Sequence, residues 1–276
     1  MKKRVIFWIL SVLITAFVLI YQRLTGPTYA VSGKVTLNER AIPYRLDRSH
    51  PGPENAPVKI KTDDPSIQGT LYWKRYNTED EWTRVPMSYS DGYLVAELPH
   101  QQPAGKLTYR VELQQGAQQV GVPGAEPIII RFKGDTPIYI VIPHVLAMFL
   151  SMLFAMRAGF EFFMPDPKLK KLVFWTVALL VLGGFILGPL MQYFAFNAWW
   201  TGWPVGTDLT DNKTAVALIA WVIAAIALYR AKNPRRWVLA AAIVMIVAYL
   251  IPHSILGSEL DYKALDKERT NVESTQ

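Results

Sequence analysis

The chain has 276 residues, 51% hydrophobic and only 18% charged, where a soluble chain of ordinary composition carries about 25% charged residues. The deficit is concentrated: residues 138–156, 172–196, 214–229 and 237–256 contain no Asp, Glu, Lys or Arg, and Val5–Tyr21 is similarly apolar. Runs of about 17–25 apolar residues match the thickness of a bilayer, which excludes a soluble enzyme and a disordered chain. The absence of cysteine excludes a disulfide-stapled mini-protein.

The net charge of +7 could suggest a nucleic-acid partner, so its position matters. Met1–Arg4 carries three basic residues, 157–171 has a small basic excess, and 230–236 holds Arg230, Lys232, Arg235 and Arg236 with no acid. Residues 24–137 balance, and the loop 197–213 and the tail 257–276 are slightly acidic. Basic residues gathered in alternate connections are the mark of cytoplasmic loops. The basicity is therefore a topology signal, and no nucleic acid is needed to explain it.

In chain order, residues 1–23 read as an uncleaved transmembrane anchor. Its apolar run of 17 residues exceeds the roughly 7–15 of a cleavable signal, although Thr28-Tyr29-Ala30 is a passable cleavage site. Residues 24–137 read as an exported all-β domain. Seven runs carry the pattern: Val31–Leu37, Val58–Thr62, Gln68–Tyr76, Thr83–Tyr89, Tyr93–Leu98, Lys106–Gln114 and Ile128–Phe132. Turn chemistry such as Asp91-Gly92 and Pro123-Gly124 separates them. Alternation places Leu107, Tyr109, Val111 and Leu113 on one face, and Leu71 and Trp73 inward. The spacing is that of an immunoglobulin-like or fibronectin III-like sandwich, a class that implies binding more than catalysis. Trp73 and Trp82 could line a ligand face or pack at a strand edge, and His50 and His100 fall in turn-like segments.

Residues 138–256 read as a four-helix transmembrane domain with an outer loop at 197–213. The glycines Gly183, Gly184 and Gly188 suit close helix packing, and Pro189 should kink the third span. Trp199, Trp200 and Trp203 suit the membrane interface. Asp211 and Asn212 sit where the fourth span should be capped, near Thr214. The polar tail 257–276 is expected to be disordered beyond Tyr262. The fold class is thus a membrane α-helical domain plus an all-β domain. Its N-terminus lies inside, with five spans, and both the β-domain and the C-terminus lie outside.

No P-loop, dinucleotide fingerprint, HExxH or GxSxG occurs, and Asp208–Asn212 lacks the glycine and terminal Glu of an EF-hand loop. The candidate chemistry rests on His144 and His253, the ionisable residues other than tyrosine in the charge-free spans. At 1.5 Å per residue His144 lies about 9 Å from the start of its span, and His253 about 24 Å along its own. Both fall near the outer face, each after an Ile-Pro pair. Asp208, Asp211, Glu259 and Asp261 approach the same surface. Two imidazoles with carboxylates could hold a divalent metal, Zn²⁺ fitting mixed nitrogen and oxygen ligands best, and could then support a membrane-embedded metal-dependent hydrolase. Two facing histidines could instead ligate haem b. The plainer alternative is that each histidine bonds a backbone carbonyl or a Tyr hydroxyl, while the acids cap helices. The competing functional expectation is an accessory or assembly subunit, partnered by the lipid bilayer and an envelope protein complex.

Three strings carry a wider resemblance: Trp200-Thr201-Gly202-Trp203-Pro204 with Asp208–Lys213, Ile251-Pro252-His253-Ser254 with Gly257–Tyr262, and Arg131–Asp135 before Ile142-Pro143-His144. Through them nearly the whole chain resembles an uncharacterised family of bacterial inner-membrane proteins that couples an exported β-sandwich to a helical membrane domain. The resemblance implies that architecture and a bacterial source, and no activity.

Overall fold

Charge-free stretches fold as helices, and the residues between the first two of them fold as short strands. The computed structural model describes residues 2–252, 257 and 259–273. It divides into a helical unit, Met1–Pro27 with Thr136–Ser258, and a β unit, Thr28–Asp135 with Glu259–Gln276.

The helical unit contains α1 (Lys2–Thr25), α2 (Ile138–Phe160) with a 3-10 turn at Glu161–Phe163, and α3 (Leu169–Val181). A π-helical turn (Leu182–Leu187) joins α3 to α4 (Gly188–Phe196), and α5 (Leu209–Arg230) and α6 (Pro234–Leu250) follow. Among the described residues four helical runs are long and apolar enough to cross a membrane: Lys2–Thr25, Ile138–Phe163, Leu169–Phe196 and Leu209–Arg230. They associate the chain with a bilayer. The fifth expected span, α6, has 17 residues, about 25 Å of helix. It stops because Pro252 lacks an N–H and disfavours helical geometry at the residue before it; Ile251 is extended, with ψ 118°. Ahead of Pro189, where a kink was expected, the helix has a π turn. A proline cannot donate to the carbonyl four residues back, and here the Gly188 N–H reaches Gly183 O instead.

Helix contacts use small residues where backbones come close. A Cβ on Gly159 of α2 would lie 2.9 Å from Ala242 Cβ on α6, and one on Gly183 would lie 2.8 Å from Met148 Sδ. Trp221 of α5 is fully buried, its indole N–H pointing at Met245 Sδ 3.1 Å away. Ser11, Thr15 and Val18 form a buried stripe along α1, and Phe7 stacks on Phe160 of α2 at 5.0 Å. The N-terminal helix is thus part of the unit's packing.

A charged cluster holds the end of α2 opposite α1. Glu161 is fully buried, and its Oε1 accepts from Arg157 at 2.6 Å and Arg4 at 3.2 Å. Its Oε2 accepts from the Lys168 backbone N–H at 2.6 Å, and Arg157 also lies over the Trp8 ring. Arg157 and Glu161 were expected in a solvated connection. Helix α2 instead runs past Met156, because the Arg157–Glu161 spacing of four residues lets the pair close along the helix.

The β unit has eleven strands in three sheets: β1 (Val31–Leu37) to β2 (Arg40–Leu46); β3 (Ser49–Pro51), β11 (Ile128–Lys133), β9 (Lys106–Gln115), β5 (Gln68–Arg75) and β6 (Thr83–Pro86) in that order, with β10 (Gln118–Val122) also on β9; and β4 (Ala56–Lys61), β8 (Tyr93–Leu98) and β7 (Ser88–Ser90). Leu107, Tyr109, Val111 and Leu113 of β9 are buried together with Leu71, as their alternation requires, and Trp73 packs on that core from the same face. The expected strand Thr83–Tyr89 is two strands. The break at Pro86–Met87 sends β6 and β7 to different sheets, with Met87 buried between them. His50 and His100 both set ring edges against the fully buried Phe132.

The described part of the tail forms a helix where disorder was expected beyond Tyr262. Helix α7 (Tyr262–Glu273) docks on the β unit. Tyr262 is buried; its hydroxyl accepts from the Lys106 N–H at 3.1 Å and lies 3.0 Å from Gln101 Oε1. Arg75 grips Asp80 with two bonds, 2.6 and 2.9 Å, reaches Asp266 of the tail at 2.8 Å, and lies over the Tyr262 ring. A polar tail folds here because these contacts offset the entropy of ordering it. Burial pushes the Tyr262 phenol up to about 12, and the Arg75 hydrogen bonds hold Asp80 below its usual range. A carboxylate depressed in the folded state stabilises at pH above its unfolded value, near 4, and loses that contribution as pH falls through the folded value. Acid titration is therefore expected to loosen the Arg75–Asp80 pair below about pH 4, read as faster amide exchange over 75–80. Asp80→Asn should remove most of that pH dependence, and an unchanged profile in the variant would reject the assignment.

Candidate functional site

The helical unit has a half-open cavity of about 290 Å³ among α1, α2, α4, α5 and α6. Its polar lining is Gln22, His144, Lys213, Thr214 and Tyr249. Each is placed by an identifiable need of the backbone. Helix α6 ends with carbonyls that lack intrahelical donors; the Gln22 amide donates to Tyr249 O at 2.5 Å and the buried Lys213 ammonium to Ile251 O at 2.6 Å. The Tyr249 hydroxyl donates to Met148 O at 3.0 Å, and Thr214 Oγ1 donates to Thr210 O at 2.8 Å. His144 Nδ1 is 2.9 Å from Gly183 O. A carbonyl can only accept, so the proton sits on Nδ1, and Nε2 of the neutral ring is an acceptor.

The acids singled out from the sequence serve other groups in the described structure. Asp208, and not Asp211 or Asn212, caps α5, accepting from the Thr210 N–H at 2.8 Å. The helix consequently starts at Leu209, ahead of the expected Thr214. Asp211 ties down the loop between α4 and α5, its Oδ2 accepting from Thr201 N at 2.8 Å, Gly202 N at 3.0 Å and Gln192 Nε2 at 3.1 Å. Asn212 Oδ1 accepts from Trp203 N at 2.7 Å. Glu259 pairs with Lys106 at 2.9 Å in the β unit, and Asp261 caps α7 through the N–H groups of Lys263 and Ala264. His253 lies outside the described residues. Among the described residues no group of three or more His, Asp or Glu side chains is placed to hold a metal.

A second surface lies on the outward face of β5, β6 and β9. Tyr72 stands directly opposite Arg84 of β6 and Arg110 of β9, and both guanidinium groups lie over its ring, at 5.2 and 5.1 Å. Arg84 also donates to the Tyr72 hydroxyl at 2.9 Å. Two residues along, Trp82 receives Lys74 at 5.6 Å and Arg110 at 5.5 Å. Period-two alternation brings these side chains together, and cation–π contacts hold them in place. The tyrosine hydrogen bond holds Arg84 above its ordinary value.

No family model matches the chain, and no curated protein matches it. The sequence resemblance therefore rests on the quoted strings.

Lys213 is the cavity residue the sequence reading passed over, having counted it as a loop charge. Its signal was position: a lone lysine between an N-cap and a charge-free run of sixteen residues must lie within the first two turns of the helix. Gln22 and Tyr249 had no such signal, since their roles depend on where α6 ends. The arginine–tyrosine pairing needed strand register, which residue spacing alone does not supply.

Proposed function

We propose that the chain is a bacterial inner-membrane accessory or assembly subunit, which recruits a protein partner through the outward face of its exported β-domain. The observation that carries this reading is the Tyr72, Lys74, Trp82, Arg84 and Arg110 cluster. Interface hot spots are enriched in Trp, Tyr and Arg, and here Lys74, Trp82, Arg84 and Arg110 are ordered around the buried Tyr72 ring, three cationic groups against the acid Glu112, which pairs with Arg110 at 3.3 Å. The partner that fits it presents an acidic surface. Four spanning helices anchor the platform to a membrane, and the basic cluster 230–236 favours a cytoplasmic position for that turn.

An immunoglobulin-like arrangement for the β-domain is supported by its strand order. One sheet runs β4-β8-β7 and the other β11-β9-β5-β6, with β3 pairing in parallel to β11 at the edge. Such sandwiches commonly serve adhesion and docking.

The test is recovery of a stoichiometric partner on purification in mild detergent, compared between the native chain and the Trp82→Ala, Arg84→Ala double variant. Loss of two hot-spot side chains is expected to weaken the complex by at least about 30-fold. A partner retained equally by both proteins, or a clean monomer with catalytic activity of its own, would overturn the proposal.

A further inference from the structure

We propose that the cavity in the helical unit binds the ring of an isoprenoid hydroquinone or quinone. This small-molecule site is separate from the protein-docking platform on the β-domain. Three observations specify the ligand.

The first is the polar pair. Lys213 offers N–H donors beyond the one used on Ile251 O. His144, with Nδ1 committed to Gly183 O, offers an acceptor at Nε2. A ligand that satisfies both carries an oxygen to accept from the ammonium and a hydroxyl to donate to the imidazole. A hydroquinone has two such oxygens on one ring, and the oxidised ring keeps the oxygen that Lys213 needs.

The second is charge. Lys213 is the one cationic side chain among the described lining residues, too little to compensate a buried phosphate, and a neutral head fits better.

The third is wall chemistry and size. Val145, Met148, Phe149 and Met191 supply the apolar lining, and thioether and aromatic groups make favourable contacts with a flat ring. A volume of about 290 Å³ is at the lower end for small-molecule sites. It accommodates a substituted ring whose tail remains in the bilayer, and not a two-chain lipid. Gln22 and Tyr249 each commit a donor to a backbone carbonyl and shape the cavity beside the Lys213 and His144 pair.

The experiment uses the full chain in mild detergent. Organic extraction with chromatography identifies co-purified quinone, and titration with decylubiquinone and its reduced form measures binding. Saturable binding is expected, with the reduced form weakened about tenfold or more by His144→Phe, and both forms weakened by Lys213→Met. Met191→Trp, which fills the cavity and leaves both polar groups in place, should abolish binding while helical content and thermal stability are retained. If either polar variant fails to fold, the Met191→Trp result and the native titration still decide. Absence of saturable binding to the native chain would overturn the proposal. So would stoichiometric fatty acid or phospholipid in the extract that decylubiquinone does not displace.

Discussion

Replacing Glu161 by Ala is expected to destabilise the helical unit by about 3–5 kcal/mol. Glu161 and Arg157 are both buried, with side-chain exposures of 0% and 3%. Attraction inside such a site barely offsets the cost of desolvating two ions, but removing one partner leaves the other charged and without its counter-ion. The same substitution removes the acceptor of the Lys168 N–H and one of the contacts of Arg4, which also donates to Asp166 O at 2.7 Å. The turn between α2 and α3 and the start of α1 should therefore loosen together. The measurement is unfolding of the detergent-solubilised chain followed by helical circular dichroism. The double variant Arg157→Met, Glu161→Leu should recover much of the loss, since an apolar pair of similar volume avoids both penalties. A Glu161→Ala loss under about 1 kcal/mol would place the pair in the class of solvated ion pairs.

The second large effect is all-or-none. A reporter fused after Asn233 is expected to be active only in a cytoplasmic form, and one fused after Asp261 only in an exported form. We propose that the tail and residues 28–135, which belong to one compact unit, share one side of the bilayer, in which case the chain between them crosses an even number of times. Ile138–Phe163, Leu169–Phe196 and Leu209–Arg230 are long and apolar enough for three crossings. On this proposal helix α6 supplies the fourth, although its 17 residues cover about 25 Å of a roughly 30 Å layer. Local thinning and the arginines at its start can absorb a mismatch of that size. Two reporters with the same behaviour would break the parity argument, and the opposite pattern would invert the chain.

Helix existence was legible because a long run without charge admits few alternatives. Helix ends were less so. The start of α5 depended on whether Asp208 or Asp211 capped it, and the sequence offers both oxygens within four residues. Strands β1 and β8 match their expected bounds residue for residue, since clear alternation ends at turn residues. Strand β2 was hidden by Pro43 and by a turn through Asn38 and Glu39, both at positive φ, 46° and 64°, where glycine would have marked a hairpin. Strands β3 and β10 are too short or too polar for a periodic signal. The tail helix was missed for a different reason: a polar helix is stabilised by its docking partners, and those are distant in sequence. Of the site, His144 was legible as an ionisable group in a charge-free span, while its bond to Gly183 O depends on the π turn.

The docked tail also imposes an order in time. Residues 259–273 leave the ribosome after every helix of the membrane unit, so Arg75, Lys106 and Gln101 wait for their tail partners until the last crossing has been translated. A chain arrested earlier carries a β-domain whose guanidinium at Arg75 has Asp80 but not Asp266, and whose Lys106 backbone N–H has no phenol to meet. Until α7 docks, the edge of the β unit that it later covers stays open to proteolysis.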